Sequence, residues 1–271
     1  AITLANRLTI TGEDLVVNDF TNGDLSSITA VGNGYSLTVN TKADSTAVLD
    51  SSELVLATSI VIAENTNASS PAATGTGASL AALLGGVTGT IAAASGTTAE
   101  SVSLVVTDYA GTQVISQLDT SMDITVQVAS DTTLVANNLD AVADVIQIAP
   151  EAVVTISAED LDDLNNSGDF QGTGALKVTD YGDDDFNSDA DDAATQDVQL
   201  NGVADSLNVE VIVSDTANLD LTKLSALANA GDTITIESGA NLIGTAADLL
   251  ALEAKDVVIR GAGTLVVNDY Q

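Results

Sequence analysis

One short motif occurs four times along the chain: Leu15-Val-Val-Asn-Asp-Phe20, Leu104-Val-Val-Thr-Asp-Tyr109, Leu176-Lys-Val-Thr-Asp-Tyr181 and Leu265-Val-Val-Asn-Asp-Tyr270. The starts lie 89, 72 and 89 residues apart, so first and third, like second and fourth, are separated by 161. Every tyrosine except Tyr35 sits in one of these motifs. Repetition constrains a fold more than composition does, because each unit must bury its apolar face against a similar neighbour. It also bears on chemistry. An active site is a single constellation, whereas an aspartate that recurs four times reads as a turn or cap. Asp19, Asp108, Asp180 and Asp269 are therefore assigned a structural role.

A looser pattern fills the space between the motifs. Leu80-Ala-Ala-Leu83 leads into Gly89-Thr-Ile91, Val114-Ile-Ser-Gln-Leu118 into Asp123-Ile-Thr-Val-Gln-Val128, and Leu224-Ser-Ala-Leu227 into Asp232-Thr-Ile-Thr-Ile236. Leucines three apart suit a helical turn; alternating β-branched residues suit a half-buried strand. Strand centres fall near Val105, Ile124, Ile146, Val178, Val211, Ile234 and Val258, mostly 19 to 24 residues apart. The spacing predicts a mainly β chain with short helices, a β-solenoid-like stack of strand–turn/helix repeats. A β-sandwich is the alternative, although hairpin dipeptides are scarce beyond Asn22-Gly23 and Asn33-Gly34. The organisation is read as one elongated repeat domain over 1–271, or as duplicated halves, 1–110 and 162–271, joined by 111–161. The Ser/Thr/Ala/Gly-rich stretch 65–77, with Pro71, is expected to be a flexible loop.

Composition narrows the function. The 271 residues carry 39 acidic and 6 basic side chains, a formal charge of -33, with no His and no Cys. Hydrophobic residues make up 45% and mean hydropathy is +0.28, which favours folding over disorder despite the charge. Such a surface repels phosphate backbones, so nucleic acid is excluded as a partner. Without His or Cys there is no Ser-His-Asp triad, thiol nucleophile or Cys/His zinc site. No apolar run reaches the roughly 18 residues of a transmembrane segment. The start at Ala1, without a Met or a basic-then-apolar leader, is read as a processed form or an excised fragment.

The strands Leu176-Lys-Val-Thr-Asp-Tyr181 and Val211-Ile-Val-Ser-Asp-Thr-Ala-Asn-Leu219, paired with Leu224-Ser-Ala-Leu-Ala-Asn-Ala-Gly-Asp-Thr-Ile-Thr-Ile236, resemble repeats of very large bacterial secreted surface proteins. These include S-layer-like proteins, calcium-dependent adhesins and giant cell-surface proteins of marine cyanobacteria. The resemblance implies an extracellular, calcium-dependent, structural or adhesive role. The Gly-Gly-x-Gly-x-Asp nonapeptides of the secretion-coupled β-roll are missing from this sequence.

Two acidic stretches present hard oxygen ligands at calcium-loop spacing. In Tyr181–Asp192, Asp183, Asp185, Asn187, Asp189 and Asp191 alternate along the chain, though Ser188 holds the turn position normally occupied by Gly and no Glu closes the loop. In the second, Asp163, Asn165, Ser167 and Asp169 surround Gly168, behind a capping box at Ser157-Ala-Glu-Asp160 that precedes Leu161 and Leu164. The competing reading is a solvated acidic loop for the first and a polar helix-ending turn for the second. Calcium is the expected cofactor, and an extracellular, non-enzymatic, self-associating structural protein the expected function. Association is expected end to end or in an array, with a cell-surface glycan as a further partner. The alternatives are a carbohydrate-binding or polysaccharide-degrading β-helix, with Tyr35 or Tyr109 beside carboxylates, and a viral or phage surface fibre.

Overall fold

The computed structural model describes residues 8–10, 12–22, 25, 28–67, 69–86, 90–97, 102–139, 142–165, 169–182, 200, 202–219, 221, 224 and 226–269. The chain divides into two compact units. The first comprises Ala1–Tyr109, Gln113–Gln127 and Ala141–Asp144; the second comprises Ala110–Thr112, Val128–Asp140 and Val145–Gln271.

The first unit holds strands β1 (Leu8–Ile10), β2 (Leu15–Phe20), β3 (Ile28–Val31), β4 (Leu37–Thr41), β5 (Ala47–Val48), β6 (Ser59–Ile62) and β7 (Ala73–Thr76). Helix α1 (Gly77–Leu84) follows, then β8 (Thr90–Ala93), β9 (Ser103–Thr107) and β10 (Asp123–Val128). β2, β4, β6 and β8 form one sheet, β5, β7, β9 and β10 lie side by side in another, and β1 pairs with β3. From β4 to β9 the chain alternates between the two larger sheets, so each strand pairs with the next but one.

The second unit repeats the device. It contains β11 (Thr132–Thr133), α2 (Ala136–Leu139), β12 (Val145–Ile148), β13 (Val153–Ser157), α3 (Ala158–Asn165), β14 (Asp169–Gly172), β15 (Ala175–Tyr181), β16 (Asn208–Val213) and β17 (Thr216–Asn218). β18 (Thr233–Ile236), β19 (Asn241–Gly244), α4 (Ala246–Glu253), β20 (Val258–Gly261) and β21 (Thr264–Val267) complete it. One sheet runs β11-β13-β15-β16-β18-β20, another β17-β19-β21, and β12 pairs with β14.

The protein is thus mainly β with few helices, and each ladder among the described residues is parallel. An antiparallel sandwich needs hairpin ladders, and the Asn33-Gly34 dipeptide closes a turn between β3 and β4, which lie in different sheets. Strand alternation places like residues in columns. Val39, Ile60 and Ile91 are register partners and at most 1% exposed; so are Ile156, Val178, Val211 and Ile234 in the second unit. Each such side chain contributes roughly 1.5–3 kcal/mol on burial, and no large aromatic is needed to fill the column.

The recurrent motif has one conformation in three of its four copies. Asp19, Asp108 and Asp180 have φ of 57°, 51° and 61°, the left-handed region that Asp tolerates better than most residues. Strict alternation would send the motif's Leu, Val and Asp to one face and its aromatic to the other. The left-handed residue breaks that period, and the ladders shift register between Val17 and Phe20 and between Val178 and Tyr181. Phe20, Tyr109 and Tyr181 consequently turn inward, at 5%, 1% and 4% exposure. In the fourth copy the Asp269 carboxylate accepts a hydrogen bond from the Ala246 N–H at 2.7 Å, at the start of α4; Tyr270 lies outside the described residues.

A Gly-x-Gly corner precedes the third and fourth motifs. Gly172 and Gly261 have φ of 117° and 122°, and a Cβ there would collide with the backbone oxygens of Ile148 and Ile236 respectively. The stretch 65–77 departs from the loop expected of it: it ends in β7 and the first residue of α1. Ala73 and Gly75 of β7 face inward, and a Cβ on Gly75 would lie 3.1 Å from both the Leu49 carbonyl oxygen and the Leu80 side chain. The helical spacing of Leu80 and Leu83 is met by α1, capped by Thr76, whose side chain accepts from the Ser79 N–H. Leu224 and Leu227 instead close a single turn, the Leu227 N–H donating to the Leu224 carbonyl at 3.0 Å.

Candidate functional site

The acidic stretches come first. Asp183, Asp185, Asn187, Asp189 and Asp191 lie outside the described residues, as does Ser167. The run containing the first five is an insertion between β15 and β16, two strands that pair directly through Leu176↔Val209 and Val178↔Val211. Asp163 and Asn165 fall on α3, which extends through Asn165, and Asp169 opens β14. A spacing of two on a helix turns successive positions about 200° apart, so Asp163 and Asn165 occupy helix positions and not those of an alternating loop. Ser157 caps α3: the Asp160 N–H donates to Ser157 Oγ at 3.1 Å, the Ser157 hydroxyl donates to the Asp160 carboxylate at 2.8 Å, and Leu161 and Leu164 are buried behind it. Among the described residues no three His, Cys, Asp or Glu side chains gather around a common point.

The carboxylates that are described have another use. Asp14 accepts from the Ser36 N–H at 2.7 Å, Asp144 from Ile124 at 2.7 Å, Asp131 from Val153 at 2.9 Å, and Asp160 from Ala136 at 2.8 Å. In each pair the residues are 20 to 24 apart in sequence, close to the spacing of neighbouring strands such as Ser103↔Asp123 and Leu15↔Leu37. Asp232 is the extreme case. It is fully buried, and its two oxygens accept from the backbone of Val209, Ala228 and Asn229 at 2.8–2.9 Å. A charged acceptor facing backbone donors makes the stronger kind of hydrogen bond, and here it also satisfies N–H groups that the turns leave without ladder partners.

These staples were not foreseen as a group. Asp144 and Asp232 stand directly before β12 and β18, a position that reads from sequence as a strand start. The missing clue was the recurrence of aspartate one strand spacing away from a backbone donor.

Charge is arranged differently on the outer face of the six-stranded sheet. Glu210 on β16 meets Arg260 on β20 at 2.8 Å and Lys177 on β15 at 4.0 Å, while the Thr235 hydroxyl on β18 donates to it at 2.8 Å. Partial burial pushes the Glu210 carboxyl up, but the bonds from Arg260 and Thr235 and the nearby cations outweigh it and hold the group below its ordinary value. Asp44, Asp50 and Asp119 are also held low, by hydrogen bonds from Thr66, Ser52 and Ser121 respectively. Burial raises Asp123 and Asp162, helped by the like charges of Asp144 and Asp163.

A sugar-binding cleft would use Tyr35 or Tyr109. Tyr109 is enclosed, its hydroxyl donating to the Gln113 carbonyl at 2.8 Å, and burial pushes its phenol well above the ordinary range. It therefore belongs to the core and presents no ring to a ligand. Tyr35 is 37% exposed. An open hollow of about 300 Å³ lies beside α1, lined by Ser51, Ser52, Val55, Ala82, Leu83 and Gly86, with no ionisable group on its wall. A second, of about 360 Å³, lies between α4 and the last strands. Among the described residues no helix is long and apolar enough to cross a membrane. Neither a family model, nor a curated protein, nor a solved structure matches the chain.

Proposed function

We propose that this chain is a non-enzymatic structural protein of the bacterial exterior, a module or subunit of an S-layer, adhesin or surface filament, built as a parallel β-solenoid. The observation that carries the reading is the pairing of each strand with the one a single circuit away, in parallel and in register, while carboxylates staple the circuits together. Such an arrangement makes stability a sum of neighbour contacts and leaves a stackable edge wherever it stops. Its chemistry is one of assembly: carboxylates accept from backbone donors, Tyr109 and Tyr181 fill the core, and uncharged Thr and Ser line outward columns such as Thr38–Ser59–Thr90.

Calcium enters the same proposal. The insertion between β15 and β16 concentrates carboxylates that repel one another within the ~8 Å Debye length at physiological salt, and a divalent cation relieves that repulsion. Electron microscopy and sedimentation velocity, with calcium and with excess chelator, test both parts. Ordered sheets or filaments in calcium support the assembly reading, and monomers under every condition oppose it. A Tm that does not change in chelator removes calcium from the proposal and leaves the structural reading in place.

A further inference from the structure

The corner between β3 and β4 carries a chemistry of its own. Gly32, Asn33, Gly34 and Tyr35 form a turn closed by one backbone hydrogen bond, from the Tyr35 N–H to the Gly32 carbonyl at 3.1 Å. Gly34 stands third with a φ of 88°, the place that a type II turn reserves for glycine. Asn33 and Gly34 are exposed, and nothing lies within 4 Å of where a Gly34 Cβ would stand. The Asn33 side-chain amide makes no hydrogen bond among the described residues.

We propose that Asn33 is a site of spontaneous modification, at which its side chain closes on the Gly34 nitrogen and the residue becomes aspartate or isoaspartate. Base takes the proton of the Gly34 N–H and the nitrogen attacks Asn33 Cγ. An N–Cγ bond forms, the Cγ–Nδ2 bond breaks, and the amide nitrogen takes up a proton and leaves as ammonia. Water then opens the five-membered imide. Addition at Cγ gives aspartate in an ordinary backbone; addition at the Asn33 carbonyl carbon gives isoaspartate, in which the chain runs through Cβ and Cγ. One water is consumed, one ammonia is released, and nothing is oxidised or reduced. The step needs an uncrowded nitrogen, a free side-chain amide and a peptide able to rotate. Glycine supplies the first, and a turn held by one hydrogen bond without packing supplies the others.

Other asparagines lack this combination. Asn40 Nδ2 donates to Asn18 Oδ1 at 2.7 Å. Asn65 is buried, and its Nδ2 donates to the Ser70 and Pro71 carbonyls at 3.2 and 3.1 Å. A threonine follows both, and its branched side chain crowds the attacking nitrogen. Asn22-Gly23 and Asn201-Gly202 share the dipeptide, but Gly23 and Asn201 lie outside the described residues. The consequence of modification reaches β2. Ser36 holds the start of that strand twice: its N–H donates to the Asp14 carboxylate at 2.7 Å, and its carbonyl accepts from the Leu15 N–H at 2.9 Å. Isoaspartate lengthens the path from β3 to Ser36 by one backbone atom, so the Leu15–Ser36 contact loosens while the buried column of Val39, Ile60 and Ile91 stays in place.

The test incubates the full chain in mildly alkaline buffer, folded and in urea, and maps its peptides by mass and by enzymatic methylation of isoaspartate. In the folded chain Asn33 is expected to convert roughly tenfold or more faster than Asn40 and Asn65, and within about threefold of its own rate in urea. Asn33→Gln is expected to abolish the signal from this peptide. A folded chain in which Asn33 reacts roughly tenfold or more slowly than in urea overturns the proposal, because the turn then keeps the amide from the nitrogen. Hydrogen exchange compares the isoaspartate form, separated by ion exchange, with the unmodified chain. Faster exchange of the Leu15 amide is expected. Unchanged exchange there overturns the link to β2. Each readout is independent of self-association, so failure here and failure of the structural reading are distinguishable.

Discussion

The aspartate of the recurrent motif acts through its backbone. At Asp180 the φ of 61° reverses the alternation of β15 and brings Tyr181 inside, so what matters is tolerance of a left-handed conformation. Asp180→Gly is expected to be neutral within about 0.5 kcal/mol, whereas Asp180→Val costs about 1–2 kcal/mol, because a β-branched side chain crowds the backbone there. Urea denaturation of the two variants checks the ordering, and equal losses would assign the role to the carboxylate. Asp232 is the opposite case, a residue that acts through its oxygens. Asp232→Ala strands three N–H groups in or near the core, with an expected loss of about 3 kcal/mol or more, and Asp232→Asn, which keeps one acceptor oxygen, loses less. Gly261→Ala has no adjustment open to it, since the Ile236 carbonyl lies where the methyl would go; its expected loss is at least about 2 kcal/mol. The sequence pointed to the motif aspartates as structural without revealing how, because a positive φ leaves no trace in composition beyond the residue type itself.

At the level of elements, strands were the most legible part. The centres expected at Val105, Ile124, Ile146, Val178, Val211, Ile234 and Val258 fall in β9, β10, β12, β15, β16, β18 and β20. Alternating β-branched residues buried on one side leave little choice of register. Helices were legible where a cap accompanied the leucines, as in α1 and α3, and not where a tight turn could bury the same leucines, as at Leu224 and Leu227. β7 escaped notice because an inward face of Ala and Gly has no hydrophobic amplitude, although its neighbours demand small residues. The acidic ligand sets were read from spacing alone, and spacing does not distinguish a loop from a helix: Asp163 and Asn165 are on α3. One electrostatic consequence belongs to β10. Asp123 is raised by burial and by Asp144, so its ionised form is a cost in the folded chain. Asp123→Asn is expected to raise stability at pH 7 by a few tenths of a kcal/mol, a gain that fades as acid protonates the native residue. Denaturation at pH 7 and pH 4 compares the two.

For the whole molecule the carboxylates act in opposing senses with pH. Asp44, Asp50, Asp119 and Glu210 are held low, so their stabilisation is complete above the unfolded range near pH 4 and is lost as pH falls through their folded values. Asp123 and Asp162 are raised, so their cost is present at neutral pH and relieved on protonation, which comes first during acidification. Stability is therefore expected to hold or rise slightly from about pH 7 to pH 5 and to fall steeply below about pH 4, as read from urea midpoints across the range. A monotonic loss from neutrality would show that the burial and like-charge repulsion acting on Asp123 and Asp162 are unimportant. The ladders carry one further consequence. Their partners are separated by 20 residues, as in Ser103↔Asp123, up to 33, as in Ala175↔Asn208, wherever they occur in the chain. The loop that must close to form a new pairing is thus nearly constant, and its entropic cost does not grow as further strands pair. In the solenoid proposed above, folding starts at any well-formed pair of strands and spreads outward, with a rate governed by that one loop length and not by the number of residues the polypeptide contains.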